Sequence, residues 1–576
     1  VDRTYSIAAV SVVVATTLLV GALGLRISRT TSDFYVASRS VPPRLNAYAI
    51  SGEYLSAASF LGVAGLVLAQ GVDMLWFPIG YTAGFLVLLI FVAAPLRRSG
   101  AYTLPDFAEA RTESRTVRRI ASVFVVGIGW LYLLPQLRGA GLTLRLLTGA
   151  PQWSGGLLVA AVVTTAVAAG GMRSITFVQA FQYWLKLTAL LVPVVFLLAA
   201  WRGDQAPQPS WEGPATFHRP TLVSVDTPRD IAIDRPVRVT ARGTVDGTSH
   251  DRAGLLLTEG THHLAAGTSL SFPAGADVPR VATGDQSGPV PSSWARPVSQ
   301  SREEHSLYAT YGLIVATFLG TMGLPHVVVR FYTNPDGRAA RRTTVVVLAA
   351  LGAFYLLMPV YGALGRLYAP DLTLSGDTDA AVLLLPQRLI GGTAGDLLGA
   401  LVAGGAFAAF LSTTSGLTLS VAGVLAQDVL PTLGVRHFRL ATLLGIAVPV
   451  AALFALPDLP AAGAVGLAFA VSASSFCPLL VLGIWWHGLT PPGAAAGLLV
   501  GGGSALAAVV AAMAGPPLSG WPQVLCAWPA AWSVPLGFAT MIVVSLATRH
   551  RVPRSTAAVM ARLHLPETGG PRPSSP

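Results

Sequence analysis

Three short stretches of this sequence carry polar residues, at spacings that could do chemistry, inside runs that are otherwise apolar. Ile50-Ser-Gly-Glu-Tyr-Leu-Ser-Ala-Ala-Ser59 sets Ser51, Gly52 and Glu53 within one such run, and Gly320-Thr-Met-Gly-Leu-Pro-His326 sets two glycines, a proline and a histidine within another. Glycine and proline weaken a helix, so each stretch predicts a helix broken part-way. Carbonyls freed at a break can coordinate a cation, and freed amides attract an anionic group. The third stretch is Ala408-Ala-Phe-Leu-Ser-Thr-Thr-Ser-Gly416. Its four hydroxyl residues, Ser412 to Ser415, cover every side of one helical turn, so some must face the interior. There their oxygens suit a small alkali cation, or they bond back to their own helix.

Two charged residues stand inside apolar runs. Lys186, the only lysine, lies in Trp184-Leu-Lys-Leu-Thr188 and reads as the cytoplasmic third of its helix. A buried ammonium is costly and loses its proton more easily. It could occupy the cation site and titrate, attract an anionic substrate, or serve the structure. Glu53 is open in the same way, as proton carrier, partner of a cation or structural carboxylate. Arg138 and His326 read as satisfied interior groups.

The elements that must position these residues are membrane helices. The chain has 576 residues, of which 53% are hydrophobic and 11% charged, with a mean hydropathy of +0.61. Soluble domains carry about 25% charged residues. Apolar runs near the ~20 residues that span a bilayer recur along most of the length. They read as about thirteen spans: 6–26, 45–70, 74–96, 119–147, 154–170, 176–201, 305–330, 342–367, 387–426, 438–456, 461–484, 491–514 and 525–547, the first third of 387–426 reading as a separate short element.

The net charge of +11 comes from arginines placed between spans, among them Arg26, Arg29, Arg39, Arg97, Arg98, Arg118, Arg341, Arg342, Arg436 and Arg551. They fall in alternate loops, as the positive-inside rule expects of cytoplasmic loops, and this excludes nucleic-acid binding. The N-terminus is then outside and the C-terminus inside, in what reads as a bacterial cytoplasmic membrane. Leu565-Pro-Glu-Thr-Gly569 matches a sorting pentapeptide but lacks the apolar stretch such a signal needs.

Five spans begin at each break, and the two breaks run in opposite directions, which is an inverted repeat. The expected organisation is an extra helix and loop (1–44), a first repeat (45–202), an extracytoplasmic insertion (203–304), a second repeat (305–484), two further helices (485–548) and a tail (549–576). Runs such as Arg238-Val-Thr-Ala-Arg242 and Ser269-Leu-Ser-Phe272 make the insertion β-rich or partly disordered.

Gly52-Glu-Tyr-Leu-Ser-Ala-Ala-Ser-Phe-Leu-Gly62, Tyr102-Thr-Leu-Pro-Asp106, Leu131-Tyr-Leu-Leu-Pro-Gln136, the Gly320–His326 stretch with Arg330 and Phe331, Ser415-Gly-Leu-Thr-Leu419 and Gly466-Leu-Ala-Phe-Ala470 together resemble the sodium/solute symporter family, in its cation/acetate branch. The resemblance implies an all-α membrane protein with a LeuT-type core of five plus five helices. It implies a sodium site formed by Gly52, Leu55, Ala409, Ser412 and Thr413. Substrate is expected between the breaks, against Tyr54, Ser56, Gln136, Phe318 and Thr321, with Ala57 shaping the pocket. The function expected is uptake of a short-chain monocarboxylate such as acetate, propionate or pyruvate coupled to sodium, with no organic cofactor and no enzymatic chemistry. A proton-coupled carrier using Lys186 or Glu53 is the nearest alternative, and a membrane ligand sensor a more distant one.

Overall fold

The computed structural model describes residues 3–27, 31–208, 213–225, 227–281, 294–297, 305–429, 435–455, 461–514, 518 and 520–565. Arg29 and the chain after Leu565, with most of the sorting-like pentapeptide, lie outside the described residues.

Among the described residues, eleven helices are long and apolar enough to cross a bilayer, and the bent pair Pro43–Tyr54 and Ala58–Gln70 makes a twelfth span. One of the eleven, Gln152–Gly203, has 52 residues. At about 1.5 Å per residue that is roughly 78 Å of helix, more than twice a bilayer core. Its backbone leaves helical space at Gly171 (φ 55°, ψ −155°), and the chain doubles back there. Both arms run along the first span, Arg3–Ile27. Ala166 meets Gly21 before the turn, and after it Ser174 bonds the Val20 carbonyl and Gln182 bonds Thr17. Gly171 has a positive φ, and a Cβ there would stand 2.6 Å from the Phe34 ring, so only glycine fits. Counting two arms gives thirteen spans, as expected. The separate element also forms: Ala381–Leu389 precedes the long helix Gly392–Asp428.

Gly392–Asp428 and Gly463–Trp485 are mostly enclosed by other helices, whereas Arg3–Leu23 and Ala530–Ala547 turn most of their surface outward. Outward-facing residues such as Val12, Leu19, Phe177, Phe181, Val195 and Leu443 are large and apolar, which suits lipid rather than water.

The arginine-bearing loops meet at one end of the bundle. Arg39 bonds the Gly100 carbonyl and Arg98 the carbonyls of Leu563 and His564. Arg118 pairs with Asp106 at 2.9 Å, Glu109 at 2.6 Å and Asp428 at 2.5 Å. Thr103 and Asp106 form a reciprocal cap that starts the short helix Leu104–Thr112 in that layer.

At the other end sits the insertion. It is a seven-stranded antiparallel sheet of β1 (Thr221–Val225), β2 (Arg229–Ile233), β3 (Val237–Val245), β4 (Thr248–Leu257), β5 (Gly260–Leu264), β6 (Thr268–Phe272) and β7 (Arg280–Val281), ordered β1-β6-β3-β5-β2-β7 with β4 paired to β3. The two runs expected to be strands fall in β3 and β6. Asp246 and Gly247 both take positive φ in the β3–β4 turn, the conformation Asp-Gly favours in a two-residue hairpin.

His262 and Asp246 give the sheet a pH dependence. Partial burial pulls the His262 imidazole down, but the Asp246 carboxylate at 2.6 Å outweighs it and holds the pKa above the ordinary value. Such a pair stabilises fully below the unfolded histidine's pKa, about 6.5, and loses that contribution as pH rises through the folded one. Amide protection of β5 is expected to weaken on going from pH 5.5 to pH 8.5, and His262→Asn to flatten that dependence. Unaltered pH dependence in the variant would contradict the pairing.

Candidate functional site

The first broken helix starts at Pro43, whose ring presets the helical φ, and ends at Leu55 (φ −73°, ψ 85°). The chain bends by 70° and rewinds from Ala58 with a π turn to Gly62. Ser51, Gly52 and Glu53 therefore stay wound, and the break falls at Leu55–Ala57, a few residues later than their types imply. Gly52 serves packing instead: a Cβ there would stand 2.1 Å from the Gln179 carbonyl oxygen on the second arm of the doubled helix. At the break the Ala57 N–H leaves the helical ladder and donates to Gln136 Oε1 at 2.9 Å. The carbonyls of the preceding turn are left to find other donors.

The second break is at Leu324 (φ −64°, ψ 117°), between Ser306–Gly323 and Pro325–Phe331. A Cβ at Gly320 would lie 2.4 Å from the Phe469 carbonyl, and Ser472 Oγ donates to the Gly320 carbonyl at 2.9 Å. The glycines thus let Gly463–Trp485 press on the unwinding helix.

The freed carbonyls of the first break meet the hydroxyl helix. Ser412 Oγ donates to the Gly52 carbonyl at 2.8 Å and lies 3.1 Å from the Ala409 carbonyl. Thr413 Oγ1 donates to the Glu53 carbonyl at 2.6 Å. Ser415 bonds back to Leu411, the self-bonding alternative for a membrane hydroxyl. All five expected cation-site residues, Gly52, Leu55, Ala409, Ser412 and Thr413, are buried here.

The centre of this cradle is taken by Lys186. Its Nζ donates to the Gly52 carbonyl, to the Leu55 carbonyl at 2.7 Å and to Ser412 Oγ at 2.6 Å. An ammonium has three protons, and each finds one oxygen. Lys186 lies near the middle of the second arm, about 22 Å beyond the Gly171 turn. This is deeper than the cytoplasmic third expected from the sequence, because the arm begins earlier than the apolar run suggests. Glu53 is engaged elsewhere. Arg330 Nε donates to its Oε2 at 2.7 Å, and both side chains are buried. The same guanidinium bonds Thr176 Oγ1 at 2.8 Å and Gln179 Oε1, while Gln179 Nε2 bonds the Ser412 carbonyl at 2.8 Å. Gly416 leaves room for the carboxylate, since a Cβ there would fall 1.9 Å from Glu53 Oε1.

Between the breaks lies an aromatic chamber. Tyr54 OH bonds Thr321 Oγ1 at 2.7 Å, and its ring packs on Tyr81, Phe85 and Phe469. Tyr132 packs on Phe469 and His326, and the buried Ser56 hydroxyl lies beside the Tyr132 phenol. Ala57 faces Gly139 and Phe410. Tyr54, Ser56, Ala57, Gln136 and Thr321 are thus brought together as expected. Phe318 is only partly buried and, among the described residues, makes no ring contact with this cluster. His326 reverses its reading as a satisfied interior group: it is fully buried and, among the described residues, neither ring nitrogen is hydrogen-bonded and Tyr81 OH is likewise without a partner. Tyr81 carried no motif in the sequence.

Residues 34–207 and 296–501, two-thirds of the chain, match the sodium:solute symporter family. The chain belongs to that family. It is a multi-pass membrane carrier with the LeuT-type five-plus-five helical core, and not an enzyme. Among its relatives, the uncharacterized symporter YwcA of Bacillus subtilis is 28% identical over 493 residues, covering 84% of this chain and 81% of that one. The monocarboxylic acid transporter of Corynebacterium glutamicum is 27% identical over 508 residues, covering 84% and 80%. A solved structure of a Na+-coupled sialic acid symporter, in a substrate-bound outward-open state, superposes with a TM-score of 0.62 at 14% identity over 95% of this chain and 97% of that one. That likeness is one of fold. The family match begins at residue 34 and skips residues 208–295, so it omits the first helix and nearly all of the insertion.

Proposed function

We propose that this chain is a symporter for a short-chain monocarboxylate and that its coupling cation is a proton carried on Lys186 Nζ. The observation that carries this reading is the complete set of three oxygens around that ammonium. An ion and an ammonium cannot share the Gly52, Leu55 and Ser412 oxygens, so the amine does the work of a bound cation: it ties the first break to the hydroxyl helix. When the amine gives up its proton it has two N–H groups left for three acceptors, and the tie loosens. Proton loading from one side and release to the other thus change how firmly the broken helix is held, which is the differential interaction a two-state carrier requires.

The chamber supports a small organic acid. Rings of Tyr54, Tyr81, Tyr132 and Phe469 suit a short apolar tail. The Ser56 hydroxyl, Tyr81 OH and His326 offer donors to a carboxylate, and buried polar groups without partners are costly unless a ligand or water meets them. The likeness to a monocarboxylic acid transporter points to the same class. Sodium coupling is the second reading, favoured by the family's description and by the five oxygens of Gly52, Leu55, Ala409, Ser412 and Thr413. The arginine-rich end faces the cytoplasm in either reading, with the insertion outside.

Purified carrier in sealed vesicles separates the two. Labelled acetate is expected to enter at an initial rate well above that of protein-free vesicles when the exterior is acidic, with sodium absent and the membrane potential clamped. Accumulation that needs a sodium gradient at equal pH overturns the proton reading in favour of sodium. His326→Ala is expected to raise the KM for acetate about tenfold, the worth of roughly 1.4 kcal/mol of lost hydrogen bonding, while the dependence on the driving ion stays as in the wild type. An unchanged KM would remove His326 from the substrate chamber.

A further inference from the structure

The insertion has its own core, and one residue in that core comes from the helical part of the chain. Leu374, which is 2% exposed and lies in the connection between the spans Gly337–Tyr368 and Gly392–Asp428, belongs to one buried cluster with Phe217, Val223, Ile231, Val239, Leu270 and Phe272. Arg229, at the start of β2, donates to the Leu374 carbonyl at 3.2 Å. Gly376 follows with φ +76°, and a Cβ there would lie 2.8 Å from the Arg229 guanidinium. The strap then runs onto the outer half of the first broken helix, where a Cβ on Gly65 would stand 2.7 Å from the Thr378 carbonyl. Asp371 and Arg388 pair across the strap, one oxygen–nitrogen contact being 2.8 Å, and hold its two ends together.

The returning end of the insertion reaches the same half-helix directly. Trp294 Nε1 donates to the Val67 carbonyl at 2.8 Å, and the Trp294 carbonyl accepts from Val72 N at 2.9 Å. Arg366 lies over the Trp294 indole, 5.2 Å from the ring centroid. The insertion therefore grips Ala58–Gln70 twice, once through Leu374 and the strap and once through Trp294. That half-helix leads from the break whose carbonyls hold Lys186. A decorative domain on two flexible linkers would need neither grip.

We propose that the insertion is an outer clamp whose docking, through Leu374 and Trp294, sets how easily the outer half of the first broken helix opens. Leu374 and Trp294 are positioning residues: neither reaches the chamber, and they act through Thr378, Val67 and the half-helix itself. A shape-complementary apolar plug explains why Leu374 is buried in the sheet. A side chain that cannot fill that space leaves the strap without its anchor.

Hydrogen exchange on the full-length protein in detergent tests this independently of the substrate and the coupling ion. Leu374→Ser is expected to speed exchange at least tenfold in residues 58–70 and 369–391, with no change in Gly463–Trp485. Leu374→Met is expected to restore the wild-type pattern. Trp294→Phe keeps the ring and loses the N–H, and it is expected to speed exchange around Val67–Gly71 with the sheet intact. Faster exchange confined to the sheet in Leu374→Ser, with 58–70 unchanged, overturns the clamp. If Leu374→Ser unfolds the whole protein, Trp294→Phe decides: unchanged exchange at Val67–Gly71 in that variant also overturns it.

Discussion

Lys186→Met is expected to abolish carrier-mediated uptake, lowering the initial rate of acetate entry on an acid-outside gradient, above that of protein-free vesicles, by at least about a hundredfold, equivalent to ~2.7 kcal/mol. The size follows from what the amine satisfies. Its removal strands the Leu55 carbonyl in the interior and leaves the Gly52 carbonyl with Ser412 alone, and an orphaned acceptor costs about 1–3 kcal/mol. Lys186→Arg is the sharper variant. A guanidinium keeps the charge but does not lose its proton at any relevant pH. A merely structural cation would tolerate that exchange in part; a titrating one would not, and Arg should lose the pH-driven rate as fully as Met. The readout is the initial rate of labelled acetate entry minus that of protein-free vesicles. Lys186→Arg vesicles that keep the wild-type pH-driven rate would remove Lys186 from the coupling step.

Arg330→Ala carries the largest expected loss of stability. Arg330 and Glu53 are buried together, and the guanidinium also ties Thr176 and Gln179 on the doubled helix to the first broken helix. Removing one partner of a buried pair leaves the other charge without compensation, typically about 3–5 kcal/mol. Thermal unfolding of the purified protein should show a markedly lower midpoint for Arg330→Ala. Removing both charges, in Glu53→Gln with Arg330→Gln, should recover at least half of that loss, because no naked charge remains. Equal losses in the single and double variants would mean that packing, not the ion pair, holds this region.

Much of the architecture was legible because the bilayer imposes it. Runs near twenty apolar residues can be counted without knowing their neighbours, and arginine placement checks the count. The meeting of the first helix break with the hydroxyl turn at Ser412–Ser415 was also foreseeable, since each segment announces unpaired polar groups inside an apolar helix. Three things were hidden for physical reasons. The break is shifted because Gly52 is required by the Gln179 backbone, a contact 127 residues away that no local pattern records. Glu53 and Arg330 are 277 residues apart, so nothing in either neighbourhood fixes their partnership. Phe318 and Thr321 were both expected against the substrate, and only packing between distant helices shows that Thr321 bonds Tyr54 while the Phe318 side chain stays partly exposed. His326 shows the opposite limit: a histidine in an apolar run is usually satisfied, and only its surroundings reveal that this one is not.

The reversal at Gly171 contains no connecting loop, and this has a consequence for where the amine can be. A loop would let the second arm slide along its axis; a one-residue hinge wedged against Phe34 lets it do so very little. The number of residues between hinge and lysine therefore acts as a ruler for the depth of the charge. One residue inserted between them would raise Lys186 by roughly 1.5 Å and swing it about 100° around the arm, off its three oxygens, although no atom of the binding residues had been changed.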